Sequence, residues 1–147
     1  MSTRKRVACA VAVAASLARP LAAHHSFSGV FDGNKVVRIK GVISRFDAVN
    51  PHSIMYVDSW ADDGSPERWA LEGPSILQLS RRGLDKNTAL RAGESIEACG
   101  YRTKDDVVAP PLDSTGQTVA RLISAELLIL PTGEHIVWSN YGQGKCL

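Results

Sequence analysis

Between Lys35 and Trp138 the apolar residues recur at every second position in a series of short runs, and only once does their spacing lengthen to that of a helix. Lys35–Asp47 sets Val37, Ile39, Gly41 and Ile43 on one face, with Arg38, Lys40 and Ser44 mainly on the other. After the Asn50-Pro51 turn, Ser53–Trp60 alternates Ile54, Tyr56 and Asp58 against Met55, Val57 and Ser59. Ala61-Asp62-Asp63-Gly64 predicts a hairpin turn, because Asp-Gly tolerates the positive φ such turns need, and Glu67–Leu71 returns as a third strand. Here the period changes. Gly73-Pro74-Ser75 opens a short helix with a buried stripe of Ile76, Leu77, Leu79 and Ser80, and Arg81-Arg82-Gly83 ends it with cations and a glycine. Leu90–Glu94 turns into a fourth strand, Ser95–Arg102. A polar loop with Pro110-Pro111 and Gly116 follows, then a long fifth strand, Thr118–Leu130. Pro131-Thr132-Gly133 leads into a last short strand, His135–Trp138.

Strands with one short helix between the third and fourth predict a mostly β fold: a small OB-like Greek-key barrel. Closing the barrel would also remove the strand edges that a β-rich chain must otherwise protect. An open β-sandwich and a partly closed roll are the alternatives.

Ahead of this region the chain reads as a signal peptide of bacterial type. Arg4-Lys5-Arg6 supply the positive start, Val7–Ala18 an apolar run of about a dozen residues, and Leu21-Ala22-Ala23 a small-residue cleavage site near Ala23. Such a run is too short to span a bilayer, which needs roughly 20 residues. Cys9 sits too early for a lipoprotein. A buried Ala/Val helix of the folded domain is the alternative. The expected organisation is therefore a leader at 1–23, an N-terminal arm at 24–34, the barrel at 35–138 and a tail at 139–147. A periplasmic or secreted location follows, with no transmembrane segment in the mature protein.

Removing 23 of 147 residues leaves 124, enough to bury a core. The leader takes four of the 17 basic residues and no acid, leaving 13 against 15, a mature charge near −2 in place of +2. A basic footprint for nucleic acid is missing. Cleavage also removes Cys9, so Cys99 and Cys146 remain as candidates for one disulfide in an oxidising compartment. One buried thiol and one frayed tail thiol is the other reading.

Taken in order, several short motifs resemble a family of small secreted bacterial proteins known as a domain of unknown function. They are His24-His25-Ser26-Phe27, Lys40-Gly41-Val42-Ile43, Val49-Asn50-Pro51-His52, Trp69-Ala70-Leu71-Glu72, Pro74, Leu79-Ser80-Arg81-Arg82-Gly83, Leu90–Glu94, Gly100–Asp105 and Leu130–Glu134. The likeness spans nearly the whole mature domain and implies export and an OB-like barrel, with no activity attached. Leu84 departs from it, standing where an aromatic tends to follow. The Asp105–Gly116 loop is longer than usual and the tail to Leu147 is additional.

All four histidines survive cleavage. A processed N-terminus at His24 would offer an α-amine and an imidazole together. Nitrogen-rich sets of this kind suit copper(II), nickel(II) or zinc(II). His24, His25 and His52 are the candidate metal ligands, with copper or zinc the expected ion, while His135 falls on an exposed strand face. Hydrogen bonding of His52 within its turn and packing of the arm are the structural readings. Trp60, Trp69, Trp138, Tyr56 and Tyr101 could form a stacking surface, although core and hairpin packing explains them more simply. Asp58, Glu67 and Glu72 are near one another in the hairpin region, and Arg81-Arg82 reads as a helix-end pair. No Gly-x-Ser-x-Gly elbow, Gly-rich phosphate loop or His-Glu-x-x-His spacing occurs. The expectation is a non-enzymatic ligand-binding or accessory module whose partner is an envelope protein or a small ligand, with a divalent-metal-binding protein as the alternative.

Overall fold

A computed structural model describes residues 26–84, 90–109, 120–140 and 142–147. The expected leader at 1–23, His24, His25 and the Pro110-Pro111 loop lie outside the described residues. Element order is α1 (Phe27–Val30), β1 (Phe31–Asp47), β2 (Ile54–Trp60), β3 (Pro66–Glu72), α2 (Ile76–Arg81), β4 (Ser95–Thr103), β5 (Val108–Ala109), β6 (Ala120–Ile129) and β7 (His135–Val137).

β1 pairs antiparallel with both β2 and β4, β2 pairs with β3, and β4 with β6. A parallel β3–β6 ladder closes the ring. The result is a closed five-stranded barrel with a helix between its third and fourth strands, as the periodicity predicts. β5 and β7 are short additions along β6. β1 begins at Phe31, four residues ahead of the predicted Lys35, because Phe31 already pairs with Thr103 across a bulge.

The inward face of β1 runs Ile39, Gly41, Ile43 and then jumps to Phe46, since a register shift between Ile43 and Arg45 inserts one residue. The core joins these to Met55, Val57, Trp69, Leu71, Ile96, Ile123, Leu128 and Trp138. The barrel is filled by side chains, and α2 closes one end with Leu79, which is fully buried beside Leu90.

Both ends of α2 are capped locally. Ser75 and Gln78 form a capping box, each side chain accepting from the other's backbone N–H. At the other end the Gly83 N–H donates to Ser80 and the Leu84 N–H to Leu79, a Schellman arrangement with Gly83 at φ +75°. The predicted helix stripe is corrected here: Leu77 and Ser80 face solvent, and Leu79 alone is buried. Six residues turn only one narrow face to the barrel mouth. Among the described residues no helix is long and apolar enough to cross a membrane.

Candidate functional site

His52 precedes β2 and Glu72 ends β3. Backbone bonds from Ser53 N–H to the Pro74 carbonyl and from Gly73 N–H to the Ser53 carbonyl bring these two points of the chain together. His52 Nδ1 lies 3.3 Å from Glu72 Oε1, and both side chains are partly open to solvent. Just beneath, Ser53 is fully buried, and the Trp138 indole nitrogen abuts Gly73 so closely that a Cβ there would collide with it.

Register connects this pair to a second feature. Glu72 pairs with Ser124, and Ser124 with Tyr101, so the three occupy one row on the barrel's outer face. Two strand spacings, roughly 10 Å, separate Glu72 from Tyr101. On Tyr101 sits Phe27 of α1, edge-on at 5.3 Å between ring centres and itself stacked on Phe31 at 5.6 Å. Lys104 holds the segment, its N–H donating to the Val30 carbonyl and its Nζ to that of Ser28. Phe27 is thus held on the row that ends at Glu72.

Sequence reasoning missed the hub beneath Phe27. Glu126, 2% exposed, is the extra residue of a β6 bulge: Cys99 faces Leu127 and Gly100 faces Ala125, leaving Glu126 unpaired between them. Its carboxylate accepts from the Tyr101 hydroxyl at 2.7 Å, the Gly144 N–H at 2.9 Å and the Cys146 N–H at 3.1 Å. The Tyr101 oxygen in turn accepts from the Gln143 and Lys145 N–H groups. Burial raises the Tyr101 hydroxyl above the ordinary tyrosine range, and its bond to Glu126 adds to the shift. Cys99 and Cys146 form the disulfide, with their Cα atoms 5.6 Å apart. The tail is therefore packed against the barrel. The alternative of a frayed tail thiol is set aside.

The other candidates separate. Trp69 and Trp138 belong to the core and Tyr56 is 8% exposed, whereas Trp60 is 63% exposed and pairs with Pro66, so the five aromatics form no common stacking face. Asp58 pairs with Arg68, Glu67 with Arg121 and Glu72 with His52, so the carboxylates face basic side chains and not each other. Arg82 ties α2 to the strand beyond it, donating to the Trp138 carbonyl and Asn140 Oδ1. His135 is exposed on β7, where it lines a shallow groove of about 460 Å³ with Arg38, Leu127, Ile129, Val137 and Leu147. Among the described residues no three His, Cys, Asp or Glu side chains gather to hold a metal ion. From the predicted set only His52 is described, and Glu72 is the side chain it meets.

A family model described as "Family of unknown function (DUF6152)" covers residues 11–109, well over half of the chain. No curated protein and no solved structure matches. The extent of that match shows the family and attaches no reaction to it: the chain belongs to DUF6152, a family of unknown function.

Proposed function

We propose that this chain is an exported, non-enzymatic binding module of the bacterial envelope whose ligand is a divalent cation, copper(II) or zinc(II). The observation that carries this reading is the His52–Glu72 pair at 3.3 Å, partly open to solvent and in register with Tyr101, the residue on which Phe27 is seated. His25 and His24 lie two and three residues before Phe27. Extended chain covers about 3.4 Å per residue, giving a reach of roughly 7–10 Å before side-chain length is counted. The two strand spacings from Tyr101, on which Phe27 sits, to Glu72 are of the same size. Two N-terminal imidazoles, an α-amine exposed by cleavage near Ala23, His52 and Glu72 make a mixed nitrogen and carboxylate set suited to copper(II) or zinc(II). Export is supported by the charged and apolar leader and by the Cys99–Cys146 disulfide, a bond characteristic of oxidising compartments.

The test begins with mass spectrometry of the purified protein, expected to give His24 or a neighbouring residue as the first. Copper(II) and zinc(II) titration by calorimetry follows, on wild type, His24→Ala, His52→Ala and Glu72→Gln. One ion per chain is expected. Each substitution should weaken binding by roughly tenfold or more, the scale of losing a ligand or its orienting partner. Equal affinity across the four proteins would rule the shared site out. A second reading, a small ligand or an envelope protein, is favoured by the groove between Arg38 and Leu147, and its occupancy would leave all three variants unaffected.

A further inference from the structure

The N-terminal segment and the C-terminal tail meet on the outer face of β1 and β4. Lys145 Nζ reaches back to the Gly33 carbonyl at 2.8 Å and to Asn34 Oδ1 at 2.9 Å. The Gln143 side chain lies so close to Gly33 that a Cβ there would collide with it. Tyr101 is gripped between Phe27 and Gly142, where again a Cβ would strike both the Tyr101 ring and Glu126. The tail that supplies Gly142, Gln143 and Lys145 is fixed to the barrel by the Glu126 carboxylate, the Tyr101 hydroxyl and the Cys99–Cys146 bond. Only the disulfide is covalent, and it anchors the tail one residue beyond Lys145. It thereby holds Gln143 and Lys145 at high effective concentration against Gly33 and Asn34.

We infer that formation of the Cys99–Cys146 disulfide seats the N-terminal segment from Phe27 to Asn34 on the barrel. This seating does not depend on the function proposed above. The chemistry is thiol–disulfide exchange with an exogenous disulfide. The Cys146 thiolate attacks one sulfur of that disulfide, forming a mixed disulfide and releasing a thiolate. The Cys99 thiolate then displaces the second sulfur and closes the Cys99–Cys146 bond. Two electrons pass to the exogenous disulfide, which leaves as two thiols carrying the protons that the cysteines gave up.

Hydrogen–deuterium exchange on the full chain, oxidised wild type against the Cys99→Ser/Cys146→Ser double variant, reads the seating without any metal. The Gly29 and Phe31 amides, bonded to the Ser26 and Phe27 carbonyls, should exchange about tenfold faster in the double variant, while β2–β3 amides keep their wild-type rates. Wild-type rates at Gly29 and Phe31, or an equal rise throughout β2 and β3, would overturn the inference. Lys145→Ala with the disulfide intact should give a smaller rise confined to the same segment. No rise there would equally count against the tail as the holding element.

Discussion

Replacing Glu126 by Gln should unlatch the C-terminal tail at a cost of about 2–4 kcal/mol, from the loss of one acceptor and of the charge behind the others. Oε1 accepts one N–H, from Gly144, and Oε2 accepts two donors, the Tyr101 hydroxyl and the Cys146 N–H. A glutamine keeps one oxygen. If its amide nitrogen takes the Oε1 position, Gly144 N–H faces a donor. If it takes the Oε2 position, Cys146 N–H does, and the Tyr101 oxygen is already occupied by Gln143 and Lys145. Either orientation strands a backbone donor in a site that is 2% exposed, worth about 1–3 kcal/mol, and the surviving bonds lose charge assistance worth about 1 kcal/mol more. For a domain of this size each kcal/mol moves the melting temperature by roughly 4 °C, so a drop of about 8–16 °C is expected. Thermal and urea unfolding under non-reducing conditions measure it. The urea midpoint should fall with an unchanged slope, because the disulfide keeps the same surface buried in both proteins. A loss below about 1 kcal/mol would refute the reasoning, since it would mean that the three donors find other acceptors or water without penalty.

Two further outcomes follow from the same packing. Gly73→Ala would drive a Cβ into the Trp138 indole at the closed end of the barrel, where backbone bonds to Ser53 leave little room to yield, and should cost about 1–3 kcal/mol; an unmoved urea midpoint would contradict the tight contact. Burial raises both Tyr56 and Tyr101 above the ordinary tyrosine value of 10.0, which favours the neutral hydroxyl in the folded state. Their contribution to stability is therefore fully present below that value and is lost as pH rises through the raised pKa values. The melting temperature should fall with this loss above pH 10, and the folded protein's phenolate absorbance should rise later than that of the unfolded chain. Coincident titration curves would argue against desolvated hydroxyls.

The barrel could be read because its information is local. Alternation in Lys35–Asp47 and Ser53–Trp60, Asp63-Gly64 at the hairpin and Gly73-Pro74-Ser75 before the helix each act within a few residues, and their order alone selects the topology. The disulfide could be anticipated as one of two readings, since cleavage of the expected leader would leave Cys99 and Cys146 as the remaining thiols. The His52–Glu72 pair was only half readable, because it depends on the register that brings the start of β2 to the end of β3. Glu126 was hidden for a different reason. It sits in the run Ile123–Leu130 as the one charged residue, with Ser124 the only other polar side chain, and simple alternation assigns it to an exposed position. Yet parity breaks at that point: Ile123 and Ala125 face the core, and the next core residues are Leu128 and Leu130. The step of three is the sequence trace of an inserted residue, as it is in β1 between Ile43 and Phe46. An acid on such a step lies on backbone that the neighbouring strand leaves unpaired. Its side chain is free to turn along the outer face and capture amides from a segment far away in sequence, whereas a leucine there would bury its methyl groups and leave those amides bare. A lone acid at a parity break in an apolar strand therefore points to a docking partner for a terminus or loop, and here that partner is Gly144–Cys146.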